Sequence, residues 1–210
     1  MSRIALRILW ITFVLCLIYA VSRYHVFEGV PAKDFPLYVL NKVLALWGFA
    51  LLAINFTLQP AKTLGAGIPD SWLAARKTLG ISAFMAILAH AFCSMLVFGS
   101  GGYYGKFFEA DQTLTAVGSW SMLLGILSIV WLWLYNISFK APQEADKPLL
   151  ELISSKGSLI LVGLLAAGHV TVMGFKGWIN PGDWAGGMPP ITLVAFAIYL
   201  PALVIGLRGR

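Results

Sequence analysis

Six stretches of this chain contain no charged side chain: 8–22, 43–61, 78–105, 112–139, 157–175 and 184–207. Each is at or near the roughly 20 apolar residues that an α-helix needs to cross a bilayer. The shortest is bracketed by Arg7 and Arg23, and the second begins beside Lys42. Such long cationic side chains reach from a helix end back to water. The strict alternation over about ten residues that marks a β-barrel span is absent. These runs predict an all-α integral membrane protein, a six-transmembrane-helix bundle in a single domain over 1–210. The predicted spans are 8–25, 38–59, 78–99, 115–138, 157–175 and 189–207. The first run has no small-residue cleavage site and more helices follow it, so it is expected to be a retained span and not a secretory signal.

Composition narrows the class further. Hydrophobic residues make up 59% of the 210 and charged ones 11%, against about 25% charged in soluble domains. An ordinary soluble globule and a disordered tail are both excluded. The net charge of +6 comes from 15 basic residues spread along the chain. They form no patch of the kind a nucleic acid requires, so no nucleic-acid partner is expected. Their distribution bears on orientation instead. With the amino terminus in the cytoplasm, the inner segments carry Arg3, Arg7, Lys62, Arg76, Lys77, Lys140, Lys147, Lys156, Arg208 and Arg210. The outer ones carry Arg23, Lys33, Lys42, Lys106 and Lys176. The positive-inside rule then puts both termini in the cytoplasm.

Two outer loops stand out. Gly99–Gly105 is rich in glycine and tyrosine, and Asn180–Pro190 is full of turn formers, with Trp178 just before it and Trp184 within it. They read either as interfacial loops or as a docking surface for a partner protein. Cys16 and Cys93 sit singly in apolar runs and read as packing residues.

Ionisable residues inside a membrane are costly and mark functional positions. His25 lies at the outer end of the first span. His90 and His169 lie deep in apolar surroundings. His90 is 13 residues after Lys77 and His169 is 13 residues after Lys156, so each is roughly 20 Å from the inner boundary. The third and fifth spans run in the same direction, which places both imidazoles at one level. Two such imidazoles facing across a gap are what a six-coordinate b-type haem requires. Met95 and Met173 are rival axial ligands that read better as packing. Ala83, Ala86, Cys93 and Ser94 share the His90 face, and Ala166 lies one turn before His169 with Gly163 and Gly168 nearby. Small residues there leave room for a flat guest, or for close packing of helices. Lys176, two turns outward from His169, is a candidate partner for a haem propionate, and equally a cation ending the helix. Arg76 falls 14 residues before His90, on nearly the same face; Lys156 is expected to point away unless a local bulge turns it. Both read as inner-boundary anchors or as groups that neutralise an anionic headgroup, a flavin phosphate or a quinone oxygen.

The run Arg76-Lys-Thr-Leu-Gly80 followed by His90, with Thr57-Leu-Gln-Pro60 upstream and Val117-Gly-Ser-Trp120 downstream, resembles the ferric reductase-like transmembrane family. The likeness is strongest to the haem-binding membrane subunits of bacterial periplasmic methionine sulfoxide reductase systems, and it covers roughly 43–173. It implies a multi-pass protein of the bacterial inner membrane, a quinol or flavin donor and a periplasmic or membrane redox partner. The wider family holds two stacked haems on four histidines. Here Arg76 and Lys156 stand near the positions of the inner pair, so one haem b is expected, with quinone or flavin at the inner side. No flavin or NADPH domain is expected after the helices.

No P-loop, Gly-x-Ser-x-Gly or His-Glu-x-x-His motif is present. The expected function is a membrane b-type cytochrome subunit, part of an oxidoreductase, that relays electrons through one bis-histidine haem towards the outer face. The alternative from another class is a non-catalytic structural subunit of a larger complex. A proton or ion carrier fits less well, because the spans lack mid-depth acidic residues.

Overall fold

The computed structural model describes residues 2–99, 101–138 and 147–209. Lys140 and Arg210, two of the cations used for orientation, lie outside them. Six helices are long and apolar enough to cross a membrane: Arg3–Phe27, Ala32–Thr63, Asp70–Val97, Ala116–Ser138, Lys156–Trp178 and Ala185–Arg208. They form an all-α six-helix bundle. Every helix except Ala116–Ser138 overruns its predicted span at one end at least, because the backbone keeps its own hydrogen bonds past the apolar edge, where charged side chains are tolerated.

The regular α-helices are α1 (Arg3–Ala20), α2 (Leu40–Thr63), α3 (Asp70–Val97), α4 (Ala116–Ser138), α5 (Lys147–Ser154), α6 (Lys156–Trp178) and α7 (Ile191–Arg208). The short α5 was not expected. It packs on α4 and α6 through Ile153, which is buried, while Leu149 and Leu152 remain exposed. Ser155 separates α5 from α6, and its side chain caps α6 by accepting from the Ser158 N–H.

The bundle is turned outward in the way lipid demands. Trp10, Ile11, Leu15, Ile18, Phe92 and Met95 are exposed, whereas Asn41, Ser121, Ser128 and Ser158 are buried. Polar groups in a bilayer must find partners inside the bundle, and here Trp131 Nε1 donates to Ser158 Oγ at 2.5 Å and Trp47 Nε1 to Thr12 Oγ1 at 3.0 Å.

The helices pack in two groups. α2 lies against α1, α3 and α7, and α6 lies against α4 and α7. α3 and α4 meet only sparsely. The gap between the α2–α3 pair and the α4–α6 pair is therefore lined by side chains, with α7 closing one side. Gly163 brings α6 onto α7: a Cβ there would lie 2.4 Å from the Tyr199 hydroxyl. That glycine serves helix packing and not a guest. Gly168 likewise faces Leu124 of α4.

Two cations expected to reach for water turn inward. The last turns of α1 widen into a π-helix, Val21–Phe27, and bury Arg23 and Tyr24. The Arg23 guanidinium donates to the carbonyls of Met188 and Ala185, tying the 184–190 loop to the first span. Tyr19 Oη donates to Pro189 O at 2.5 Å and adds a second tie. Lys42 is held among tyrosines. The two loops singled out in the sequence are likewise tied down. Tyr104 is buried, Tyr103 stacks on Tyr38 with ring centroids 3.9 Å apart, and Tyr103 Oη donates to Asp34. Trp178 Nε1 donates to Thr192 Oγ1, and Trp184 Nε1 to the Gly177 carbonyl, each at 2.8 Å.

Candidate functional site

The gap between the two helix groups is a cavity of about 340 Å³, inside the roughly 300–1,000 Å³ range of ligand sites. His90 of α3 and His169 of α6 both line it. Lys42, Phe49, Tyr104 and Phe107 stand in its wall with them, and Met95 and Met173 also line it.

Each histidine is held by the same nitrogen. His90 Nδ1 lies 2.6 Å from Asn41 Oδ1, and His169 Nδ1 lies 2.7 Å from the Ser121 carbonyl oxygen. An amide or peptide oxygen only accepts, so Nδ1 carries the proton in both rings. Nε2 is then the unprotonated nitrogen, and among the described residues it has no hydrogen-bond partner in either ring. This is the arrangement by which proteins fix the tautomer of a metal-ligating histidine. Asn41 is fully buried and its own Nδ2 donates to Ser94 Oγ at 3.0 Å, which locks the amide against His90. Gly125 makes room on the other side. A Cβ at that position would lie 2.9 Å from His169 Nδ1.

The remaining expected residues are placed as follows. Ala166 lines the cavity. Ala83 and Ala86 are buried but do not line it; the Ala83 carbonyl faces Gly48 of α2, 3.4 Å from where a Cβ would sit. Ala83 belongs to helix packing; Ser94, also expected on the His90 face, does line the cavity, with Ile87 and Ala91 beside it. Lys176 is exposed and stands outside the cavity wall. His25 is also remote from it, with Nδ1 2.6 Å from the Val30 carbonyl oxygen. Among the described residues no group of three or more His, Cys, Asp or Glu side chains comes together.

A second cavity, of about 190 Å³, lies at the opposite ends of α2, α3, α6 and α7. Arg76, Lys156, Gln59 and Tyr199 line it together with apolar side chains. Arg76 Nε donates to the Asn55 carbonyl at 3.3 Å. Lys156 reaches this cavity with no bulge in α6. Leu159 and Ile160, three and four residues on, line it too, so a regular α6 presents all three on a face other than that of His169, as the helical spacing requires.

Sequence reasoning missed Asn41, Lys42, Ser121 and Gly125. Asn41 is an amide in a largely apolar span, and that was the available signal, since polar side chains in such a span need interior partners. The Ser121 contact is through its backbone and has no sequence signature. No protein-family model matches the chain, and no curated protein matches it.

Proposed function

We propose that this chain is a membrane b-type cytochrome subunit in which His90 and His169 hold one haem between α3 and α6. The supporting observation is the pair of Nδ1 hydrogen bonds, which leaves an unprotonated Nε2 on each of two histidines lining one cavity. A donor set of two imidazoles suits an ion whose other positions are filled by a macrocycle, and the apolar walls suit the macrocycle itself. When bound, haem supplies a one-electron carrier. The chain's own residues set its place and electronics. Asn41 and the Ser121 carbonyl orient the rings and raise their basicity, while Phe49 and Phe107 exclude water.

In this reading electrons enter through the second cavity. Its lining of two cations among apolar side chains suits a quinol headgroup or the phosphate of a flavin. Arg76 and Lys156 neutralise a quinone oxygen there, and Tyr199 and Gln59 offer hydrogen bonds. The orientation inferred from the basic residues puts this cavity at the cytoplasmic side of a bacterial inner membrane and the histidines nearer the outer face. A periplasmic or membrane redox protein is then the acceptor.

The test is an absorbance spectrum of the purified full chain, oxidised and dithionite-reduced. A sharp low-spin b-type α band is expected. Protein expressed with ample haem that is colourless and folded would leave the structural-subunit reading in its place.

A further inference from the structure

Lys42 sits one residue after the asparagine that holds His90, and it lines the same cavity. Its ammonium is caged by aromatic rings. The Tyr38, Tyr104 and Tyr24 centroids lie 4.8, 4.9 and 5.8 Å from Nζ. It donates one hydrogen bond, to Tyr104 Oη at 3.0 Å. An ammonium has three donors, and the other two have no acceptor among the described residues. The one ion pair among those residues is Lys62 with Asp70, at the far end of α2.

A cation inside a span is costly unless it is paired. Facing rings offset part of that cost by cation–π attraction, but they supply no lone pair for the remaining N–H groups. An anion entering from the cavity, which Lys42 lines, would complete its hydrogen bonding. Apart from the two histidines and a few hydroxyl side chains the cavity walls are apolar, so such an anion would belong to a ligand that is itself largely apolar. Carboxylate arms on a flat macrocycle meet both conditions.

We propose that Lys42 is the receiving group for a carboxylate of the ligand held between His90 and His169, with Tyr104 orienting the ammonium. This rests on the haem reading above. It replaces Lys176 as the propionate partner, because Lys176 is exposed and outside the cavity wall. It also assigns a task to the tyrosine cage. Tyr24, Tyr38 and Tyr104 come from three separate segments of the chain, and their convergence on one amine orients that amine in a fixed place.

The experiment compares two porphyrins in the full-length chain expressed under haem limitation. Haem b keeps both carboxylates, and haem b dimethyl ester has lost them. Binding is read by the appearance of the low-spin spectrum during titration of the wild type, Lys42→Met and Lys42→Arg. The wild type is expected to bind haem b roughly ten- to hundred-fold more tightly than its ester, the worth of one charged hydrogen bond. Lys42→Met is expected to lose that preference while keeping the low-spin spectrum, since both histidines remain. Lys42→Arg is expected to keep it. A preference that survives in Lys42→Met, or is absent from the wild type, overturns the assignment of Lys42 and leaves the histidine pair standing. If the wild type forms no low-spin complex with either porphyrin, the haem reading fails and this inference fails with it. Should Lys42→Met not fold, a Lys42→Gln variant carries the same comparison.

Discussion

Asn41 on α2 accepts the Nδ1 proton of His90 on α3 at 2.6 Å. This contact joins the two most closely packed helices of the bundle at the level of the cavity. It also decides which nitrogen of His90 is free to bind. The partner histidine reaches the same state by a different route, through a peptide carbonyl on α4.

That difference predicts an asymmetry. Asn41→Leu leaves the His90 N–H without an acceptor, at a cost of about 1–3 kcal/mol, and loss of such a partner typically weakens a metal site roughly 10- to 100-fold. Haem affinity should fall by that factor. Ser121→Ala keeps the backbone carbonyl that His169 uses, so its affinity should stay close to wild type. Haem titrations of the two variants, side by side, check this. Equal losses in both would show that the serine hydroxyl, 3.2 Å from Nδ1, matters as much as the carbonyl.

Gly125→Ala puts a Cβ about 2.9 Å from His169 Nδ1. The ring must tilt off its carbonyl partner, and overpacking of this kind costs about 1–3 kcal/mol. The expected result is a high-spin fraction in the electron paramagnetic resonance spectrum, with the bundle still folded. An unchanged low-spin signal would mean that the ring is not held where the structure puts it.

Gly163→Ala tests the fold apart from the site. Its Cβ would meet the buried Tyr199 hydroxyl at 2.4 Å, wedging α6 from α7. Thermal unfolding in detergent should show destabilisation of about 1–3 kcal/mol. Gly163 does not line the cavity of the two histidines, so the low-spin spectrum of the folded fraction should persist.

Arg76→Ala and Lys156→Ala address the second cavity. Each removes one of the two cations lining it. Reduction by a quinol analogue should slow in both, while dithionite still reduces the haem fully and its spectrum is unchanged. Quinol-driven rates equal to wild type in the double variant would assign these side chains to anchoring alone.

The six spans were legible because charge punctuates an apolar chain, and bilayer thickness fixes how long each uncharged run must be. That His90 and His169 reach one cavity was legible for the same reason: a constant rise converts an equal count from Lys77 and Lys156 into an equal expected depth. What stood around them was not. Ala83 and Gly163 are small residues at helical spacing, and such spacing does not tell a guest's wall from a helix–helix seam; the structure puts both in seams. Arg23 and Lys42 looked like residues reaching for water. A π-helical turn and a cage of three tyrosines, assembled from segments distant in sequence, hold them inside instead. Tyr104, expected in an exposed loop, became part of the cavity wall when the 102–107 turn folded back on α2. Lys156 keeps the helical rule: it shares the face of Leu159 and Ile160, turned from His169, and that face lines the second cavity.

The central claim is that His90 and His169 are the two axial ligands of a single haem. Reduced-minus-oxidised spectra of His90→Ala, His169→Ala and the double variant, with haem counted as the pyridine haemochrome, test it most directly. The account predicts one low-spin haem per wild-type polypeptide, loss of the low-spin band or conversion to high spin in each single variant, and no change in a His25→Ala control. A double variant that keeps a normal low-spin haem, or a wild type that carries two haems per chain, would contradict it.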